Sequence, residues 1–303
     1  MKKWGISEEG ERMKKKFNFW TLLFIGPYFI LFIIFFLIPA VFGIAVSFTE
    51  WDMYNTPEFI GFSNYSRILF DSSSIYYDQF RIGMGNTILF VLFAVPLCVF
   101  VPLLIAVLLN TRPRGHRIFQ SVLYMPTLFS ISAVMIIWSF LLSLSYGPFK
   151  TWFDLSFDLK STQPWAWICI IGVTIWWCMG SNLVIYVAAL NGVPQEQLEA
   201  ATIDGAGAVI KLFRIVIPNI RFQLLFTAIT TTVAQFNIYG QPLMLTGGGA
   251  NNSTKVLMMY IQENAFGTGI SNAGMSSAMA ILMGLVIMLV SSVQFVLNHR
   301  SER

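Results

Sequence analysis

Six long apolar runs determine the fold class of this chain of 303 residues. None of them contains Asp, Glu, Lys, Arg or His, and each is long enough to cross a bilayer, which takes about 20 apolar residues. A bilayer cannot satisfy exposed backbone polar groups, so these runs should be helices. The runs are Phe19–Phe48, Thr87–Leu109, Ile118–Leu142, Trp165–Leu190, Phe222–Leu245 and Ala273–Leu297. The sequence therefore predicts an all-α membrane protein with six transmembrane helices.

Charge is scarce and unevenly distributed. Hydrophobic residues make up 56% of the chain and charged residues only 11%, which excludes an ordinary soluble domain. Of the 19 Lys and Arg residues, 14 fall in segments that six spans would place on one side of the membrane. Because cytoplasmic loops carry an excess of Lys and Arg, both termini and the segment around Glu199 are predicted to be cytoplasmic. The net charge of +4 then reflects topology, and no nucleic-acid partner is expected.

The predicted domain organisation follows from these spans. Residues 1–17 are expected to form a cytoplasmic N-terminal segment, residues 18–298 the six-helix transmembrane domain, and residues 299–303 a cytoplasmic tail. Three cysteines lie inside the spans, and their spacing suits neither a metal site nor a disulfide framework. The sequence predicts no metal-binding residues and no cofactor held by this chain.

A polar segment stands between the fourth and fifth runs. Pro194 and the acidic residues after it favour the start of a short helix. Gly205 is placed to end that helix with a positive φ. A second short helix is predicted from about Ala208 to Ile215, stopping at Pro218. Two short helices at an angle would form a compact knob on the aqueous face, which suits a docking element.

This segment resembles a known motif. It reads Glu199-Ala200-Ala201, three residues, Gly205, nine residues, Ile215, one residue, an apolar residue and Pro218. The pattern is similar to the cytoplasmic EAA loop in permease subunits of binding-protein-dependent ABC importers. Further segments resemble the carbohydrate-uptake branch of that family, of the maltose or multiple-sugar type. They are Ser47–Thr49, Phe59–Tyr65 and Leu245–Asn252.

The resemblance implies an ABC importer type I permease fold with a shared core at about residues 82–297 and the EAA loop at residues 191–218. It also implies that this loop couples the chain to an ATPase. The coupling residues it identifies are Glu199, Ala200, Ala201, Asp204, Gly205, Ile215 and Pro218.

The partners that the resemblance implies are a second permease, two ATP-binding subunits and an external solute-binding protein. This chain has no Walker sequence, so ATP and Mg would be bound by the partner subunits. It is therefore expected to be a transport subunit rather than an enzyme, in the inner or plasma membrane of a bacterium or archaeon.

Polar and aromatic residues in the fourth and fifth runs are the candidates for a substrate path. Amides hydrogen-bond sugar hydroxyls and aromatic faces stack on sugar rings, and related maltose-type permeases bear sugar contacts in these spans. The alternative is hydrogen bonding between helices together with ordinary aromatic packing. The sequence leaves both open. The candidates are Trp177, Ser181, Asn182, Thr231, Gln235 and Asn237.

Three functions are alternatives to sugar import. A permease for a non-sugar solute would share all these features. An ion-coupled secondary carrier would need ionisable residues inside the membrane for proton coupling, and the six runs contain none. A membrane enzyme would need a catalytic constellation, but the two histidines, His116 and His299, both flank spans among basic residues.

Overall fold

The computed structural model describes residues 19–154, 156–267 and 271–300. The predicted N-terminal segment 1–17 and residues 301–303 of the tail lie outside these ranges. Helices dominate the described chain, and two short antiparallel strands, β1 (Thr49–Glu50) and β2 (Glu58–Phe59), form a hairpin. The helices are α1 (Phe19–Phe32), α2 (Ile38–Val46), α3 (Ser63–Leu69), α4 (Ile75–Asn110), α5 (His116–Tyr124), α6 (Ile131–Leu141), α7 (Pro148–Phe153), α8 (Trp165–Asn191), α9 (Gln195–Ile203), α10 (Ala208–Lys211), α11 (Ile217–Asn219), α12 (Arg221–Phe236), α13 (Gly240–Thr246), α14 (Leu257–Phe266) and α15 (Ala273–Arg300).

Four helical segments are long and apolar enough to cross a membrane, and the all-α membrane fold is confirmed. They are Leu23–Val46, Ile75–Asn110, Trp165–Asn191 and Ala273–Leu297. Two further candidates are pairs of helices bent by 100° and 73°, at residues 116–141 and 208–236 respectively. The described chain therefore has six spans if each bent pair crosses the membrane once.

The second span begins earlier than the sequence predicted. The helix starts at Ile75 and not at Thr87, because polar residues such as Asp78 do not interrupt a helix that continues into water. Ser74 caps it, with its Oγ accepting a hydrogen bond from the Tyr76 N–H at 3.3 Å. The connection between the first two predicted spans, from Phe48 to Thr87, is correspondingly shorter.

The third and fifth apolar runs are broken helices, and the breaks lie near Pro126 and Pro242, prolines of the kind that the sequence predicts to bend helices. In the third run the helical path ends after Leu128, and Ser130 caps α6 by accepting a hydrogen bond from the Ala133 N–H. In the fifth run, beyond the 73° bend at Ile220, α12 ends at Phe236 and α13 starts at Gly240. Prolines alone do not locate these breaks, because Pro27, Pro96 and Pro102 also lie in apolar runs and do not interrupt their helices.

The core lies between α4 and α8, which pack along each other. Phe90 and Ala94 of α4 and Ile170 and Leu183 of α8 are fully buried in one apolar cluster. This burial fixes α8 as a rigid support. Both broken spans pack on it, and the polar segment that follows Asn191 is attached to its end.

One end of the bundle, which we call the hairpin end, carries β1, β2 and the loops near them. The first turn of α15 packs tightly there: the Ala273 N–H donates to the Trp51 carbonyl at 2.7 Å, and a Cβ on Gly274 would overlap the Thr49 carbonyl. In the hairpin loop, the Asp52 carboxylate accepts the backbone N–H groups of Asn55 and Tyr54, and these bonds hold its pKa below the usual value. The hairpin end is thus an ordered surface.

Candidate functional site: a two-helix knob and two broken spans

The segment α9–α11, residues 195–219, forms a two-helix knob at the end of the bundle opposite the hairpin. Val193 and Ile220, which flank it, are buried in the bundle. Two side-chain contacts tie its helices together: Lys211 Nζ donates to Thr202 Oγ1 at 2.8 Å, and Asn219 Nδ2 donates to Gln197 Oε1 at 3.0 Å. The knob is therefore both attached to the bundle and internally braced.

Gly205 ends α9 as predicted. Its φ is +78°, and the Ala206 N–H donates to the Ala201 carbonyl at 2.8 Å while the Gly205 N–H donates to the Thr202 carbonyl at 3.1 Å. This pair of bonds is the Schellman arrangement, which needs a residue in the left-handed region. A Cβ on Gly205 would meet no atom within 4 Å, so the requirement comes from the backbone and not from crowding.

The second helix of the knob differs from the prediction. It was expected to end at Pro218, but the helical path runs through α10, a π-turn at Leu212–Val216 and α11 to Asn219. Pro218 lies just after the π-turn and supplies no backbone N–H to the path, yet the path continues to Asn219.

The outer surface of the knob combines acidic and apolar side chains. Glu199, Ala200, Asp204 and Pro218 are exposed, whereas Ala201 and Ile215 are half-buried. Apolar side chains beside them are also exposed, with Ile203 at 87% and Phe213 at 63%. Neither residue is among the coupling residues predicted from the sequence, although apolar side chains in a polar segment outside the spans are a signal for an interface.

Asn182, one of the candidate path residues, lies inside the bundle at a junction of three helices. Its Nδ2 donates to the Cys98 carbonyl of α4 at 2.9 Å and to Thr231 Oγ1 of α12 at 3.1 Å. In an α-helix the Cys98 carbonyl would accept from residue 102, which here is a proline without an N–H. Asn182 therefore satisfies the carbonyl that Pro102 leaves free, as neighbouring helices do for prolines in membrane spans.

The other candidates divide into interior and surface positions. Gln235 is buried, with Nε2 3.9 Å from Cys178 Sγ, and Thr231 is buried beside Asn182. Ser181 and Asn237 are exposed on this subunit. Trp177 is half-buried, and its Nε1 donates to the Phe129 carbonyl at 3.1 Å.

The two breaks face each other beside the middle of α8. Trp177 holds the first break, since its indole N–H reaches the Phe129 carbonyl and its own carbonyl accepts from Thr127 Oγ1 at 3.0 Å. Across from it, α13 packs on α6, and a Cβ on Gly240 would lie 2.9 Å from Ile131 Cδ1. Non-helical backbone at membrane depth is tolerated only where protein buries it or where it lines a water-filled cavity. Asn237 is exposed at the second break, so that break needs a polar surface or a partner.

Comparisons with known proteins identify relatives over nearly the whole chain. Residues 75–303 match the family described as binding-protein-dependent transport system inner membrane component. The probable starch degradation products transport system permease protein AmyD of Thermoanaerobacterium thermosulfurigenes is 30% identical over 300 residues, which cover 96% of this chain and 99% of that protein. The sn-glycerol-3-phosphate transport system permease protein UgpA of Escherichia coli is 28% identical, over 90% of this chain and 92% of that protein.

A solved structure shares the fold. It is the crystal structure of a bacterial alginate ABC transporter in complex with a periplasmic protein bound to an alginate pentasaccharide. One of its chains superposes with a TM-score of 0.73 at 19% identity, covering 93% of this chain and 94% of that one. The arrangement of bent and straight spans described above is therefore an established protein fold.

Proposed function

This chain belongs to the family of binding-protein-dependent transport system inner membrane components, and we propose that it is one of two permease subunits of an ATP-driven importer for a sugar or oligosaccharide. The second permease would complete the translocation path, and an external solute-binding protein would deliver the substrate. Two ATP-binding subunits would hold ATP and Mg. The carbohydrate assignment is supported by the similarity to AmyD over 96% of the chain.

The observation that carries this proposal is the two-helix knob. An exposed patch of Glu199, Ile203 and Phe213 stands on a braced element, and the element is continuous with α8 and α12. Such a surface suits a partner that pushes or pulls on it, because displacement of the knob is transmitted to two spans. We propose that the ATPase docks there and that Glu199 meets a basic residue of that subunit. Ala200 and Ala201 would allow close approach, and the other motif residues would shape the knob.

The orientation that follows places the knob and both termini in the cytoplasm and the hairpin end outside. Three arginines follow α4 at the knob end: Arg112, Arg114 and Arg117. The knob itself adds Lys211 and Arg214. Few basic residues are found at the hairpin end, in agreement with the excess of Lys and Arg on cytoplasmic segments.

We propose that the substrate path runs beside the two breaks, near the middle of α8. Ser181 and Asn237 are polar and exposed within spans, and lipid cannot satisfy such groups. They would face substrate or the second permease. Asn182, Thr231 and Gln235 would keep α4, α8 and α12 in place around the path, and Trp177 would hold the broken third span.

The function is tested by measuring ATP hydrolysis in vesicles with subunits added stepwise. We expect no hydrolysis from the purified chain alone, and hydrolysis stimulated by sugar-loaded binding protein once the ATPases and the second permease are present. Hydrolysis by this chain alone, or uptake without ATP, would contradict the proposal. The similarity to UgpA favours glycerol phosphate as the second candidate solute, so binding protein loaded with that compound is the comparison.

A further inference from the structure

A basic cavity lies where α4, α5 and α8 meet, at the knob end of the bundle. Its volume is about 370 Å³, within the range of small-ligand sites. Arg112, His116 and Arg117 line it together with the polar side chains of Asn110, Gln120 and Asn191. Leu109 and Val187 complete its wall, and the lining includes no Asp or Glu. The cavity therefore concentrates positive charge and hydrogen-bond donors in one place.

The charges around this cavity are not neutralised within the chain. Among the residues that the structure describes, neither Arg112 nor Arg117 forms an ion pair. Arg117 also lies in the first turn of α5, where the helix dipole disfavours positive charge, and no acidic residue is present in that turn. Like charges gathered at a helix start are unfavourable unless an anion lies between them.

The backbone holds one of these arginines in an unusual conformation. Arg112 has a φ of +54°, in the left-handed region that residues other than glycine rarely adopt. It immediately precedes Pro113, which further restricts it. This left-handed residue ends α4, with the Arg112 N–H donating to the Leu109 carbonyl at 3.0 Å, so the end of the helix fixes the Arg112 backbone at the cavity.

The cavity also lies at the depth where the spans end. Asn110 and Asn191 are the last residues of α4 and α8, and α5 leaves the cavity with Ile118 and Phe119 exposed. Apolar side chains next to a basic pocket at a helix end place that pocket at the boundary between hydrocarbon and water.

We propose that this cavity binds a phosphate group at the membrane–water boundary, through the guanidinium groups of Arg112 and Arg117. Arginine suits this role because its planar fork of donors matches phosphate oxygens. The phosphate comes either from the headgroup of an anionic lipid or from a soluble phosphate. Bound there, it would join α5 to α8 four residues before the knob begins. This site is independent of the transported solute.

The test uses the assembled transporter in phosphatidylcholine nanodiscs to which phosphatidylglycerol is added in increasing amounts. Native mass spectrometry measures how much phosphatidylglycerol the transporter retains. We expect Arg112→Gln and Arg117→Gln each to weaken retention about tenfold, the loss of a charge-assisted hydrogen-bond pair. Arg114→Gln is the matched control, because Arg114 lies between them in sequence but outside the cavity lining, and it should behave as wild type. The unfolding temperature in phosphatidylcholine alone shows that each variant is folded.

Inorganic phosphate, added alone, distinguishes the sources. If inorganic phosphate displaces phosphatidylglycerol, or raises the unfolding temperature only when both arginines are present, the site binds a soluble phosphate. If phosphatidylglycerol is retained and inorganic phosphate does not displace it, the site binds a lipid headgroup. The proposal fails if Arg114→Gln weakens retention as much as the cavity variants, or if the double variant retains the lipid as wild type does. It also fails if neither phosphatidylglycerol nor inorganic phosphate binds.

Discussion

Replacing Gly205 with valine, or Glu199 with lysine, should separate ATP hydrolysis from transport. Gly205 adopts a φ of +78°, where a β-branched residue costs roughly 1–2 kcal/mol or more, so valine would reshape the turn between α9 and α10. At Glu199 the charge reversal replaces attraction by repulsion at the proposed contact with the ATPase. We expect the ATPase to bind at least about tenfold more weakly in either variant. The measurement is co-purification of the ATPase together with substrate-stimulated hydrolysis.

Two control variants distinguish these specific effects at the knob from a general loss of folding or assembly. Gly207→Val adds the same bulk two residues later, at an ordinary φ of −68° and with no atom within 4 Å of the new Cβ. Arg114→Glu reverses an exposed charge outside the knob. Both should retain assembly and coupling. If the two knob variants behave like these controls, the knob is not the docking element.

Adjacent residues of α8 should respond in opposite ways to substitution. Asn182→Leu leaves the Cys98 carbonyl without its donor, and a buried unsatisfied group costs about 1–3 kcal/mol. The unfolding temperature of the chain should therefore fall. Pro102→Ala restores an N–H that can bond the same carbonyl, so the double variant should recover stability relative to Asn182→Leu alone. If the double variant is no more stable than Asn182→Leu, the unsatisfied Cys98 carbonyl is not the cause of the lost stability.

Ser181→Trp should instead leave stability and assembly unchanged and reduce uptake more than about tenfold, since Ser181 is exposed and proposed to face the path. Ile168→Trp is the matched control, because Ile168 is also exposed on α8 but lies on a different face. Wild-type uptake by Ser181→Trp would place Ser181 against lipid, and loss of assembly would place it against the second permease.

The neighbours Ser181 and Asn182 also show what could not be predicted from the sequence. Ser181 and Asn182 are equally polar members of the same apolar run, and only the packing of α4 and α12 decides which of them is buried. The importance of Asn182 depends on Pro102, which is 80 positions away and meets it only in the fold. Long runs and the Gly205 turn could be predicted because their causes are local: apolar composition, and a left-handed residue that ends a helix.

Which prolines of the apolar runs interrupt their helix could not be predicted, for a related reason. Pro96 and Pro102 lie inside α4 without interrupting it, whereas the helical path around Pro126 ends within a few residues. The difference lies in the neighbours, since Trp177 supplies an N–H to the Phe129 carbonyl at the first break. A proline therefore marks a possible break, and tertiary contacts decide whether it forms. The sequence places Ile203 and Phe213 in a polar segment, but only the three-dimensional arrangement of the knob shows that both side chains are exposed.

The most direct test of the central claim is photo-crosslinking from the tip of the knob in the assembled transporter. A photoreactive residue in place of Ile203, which is 87% exposed, should crosslink to the ATP-binding subunit. The same residue in place of Tyr54, which is 88% exposed at the hairpin end, should not crosslink to that subunit. A crosslink from position 54 to the ATPase, or from position 203 to the external binding protein, would contradict the account.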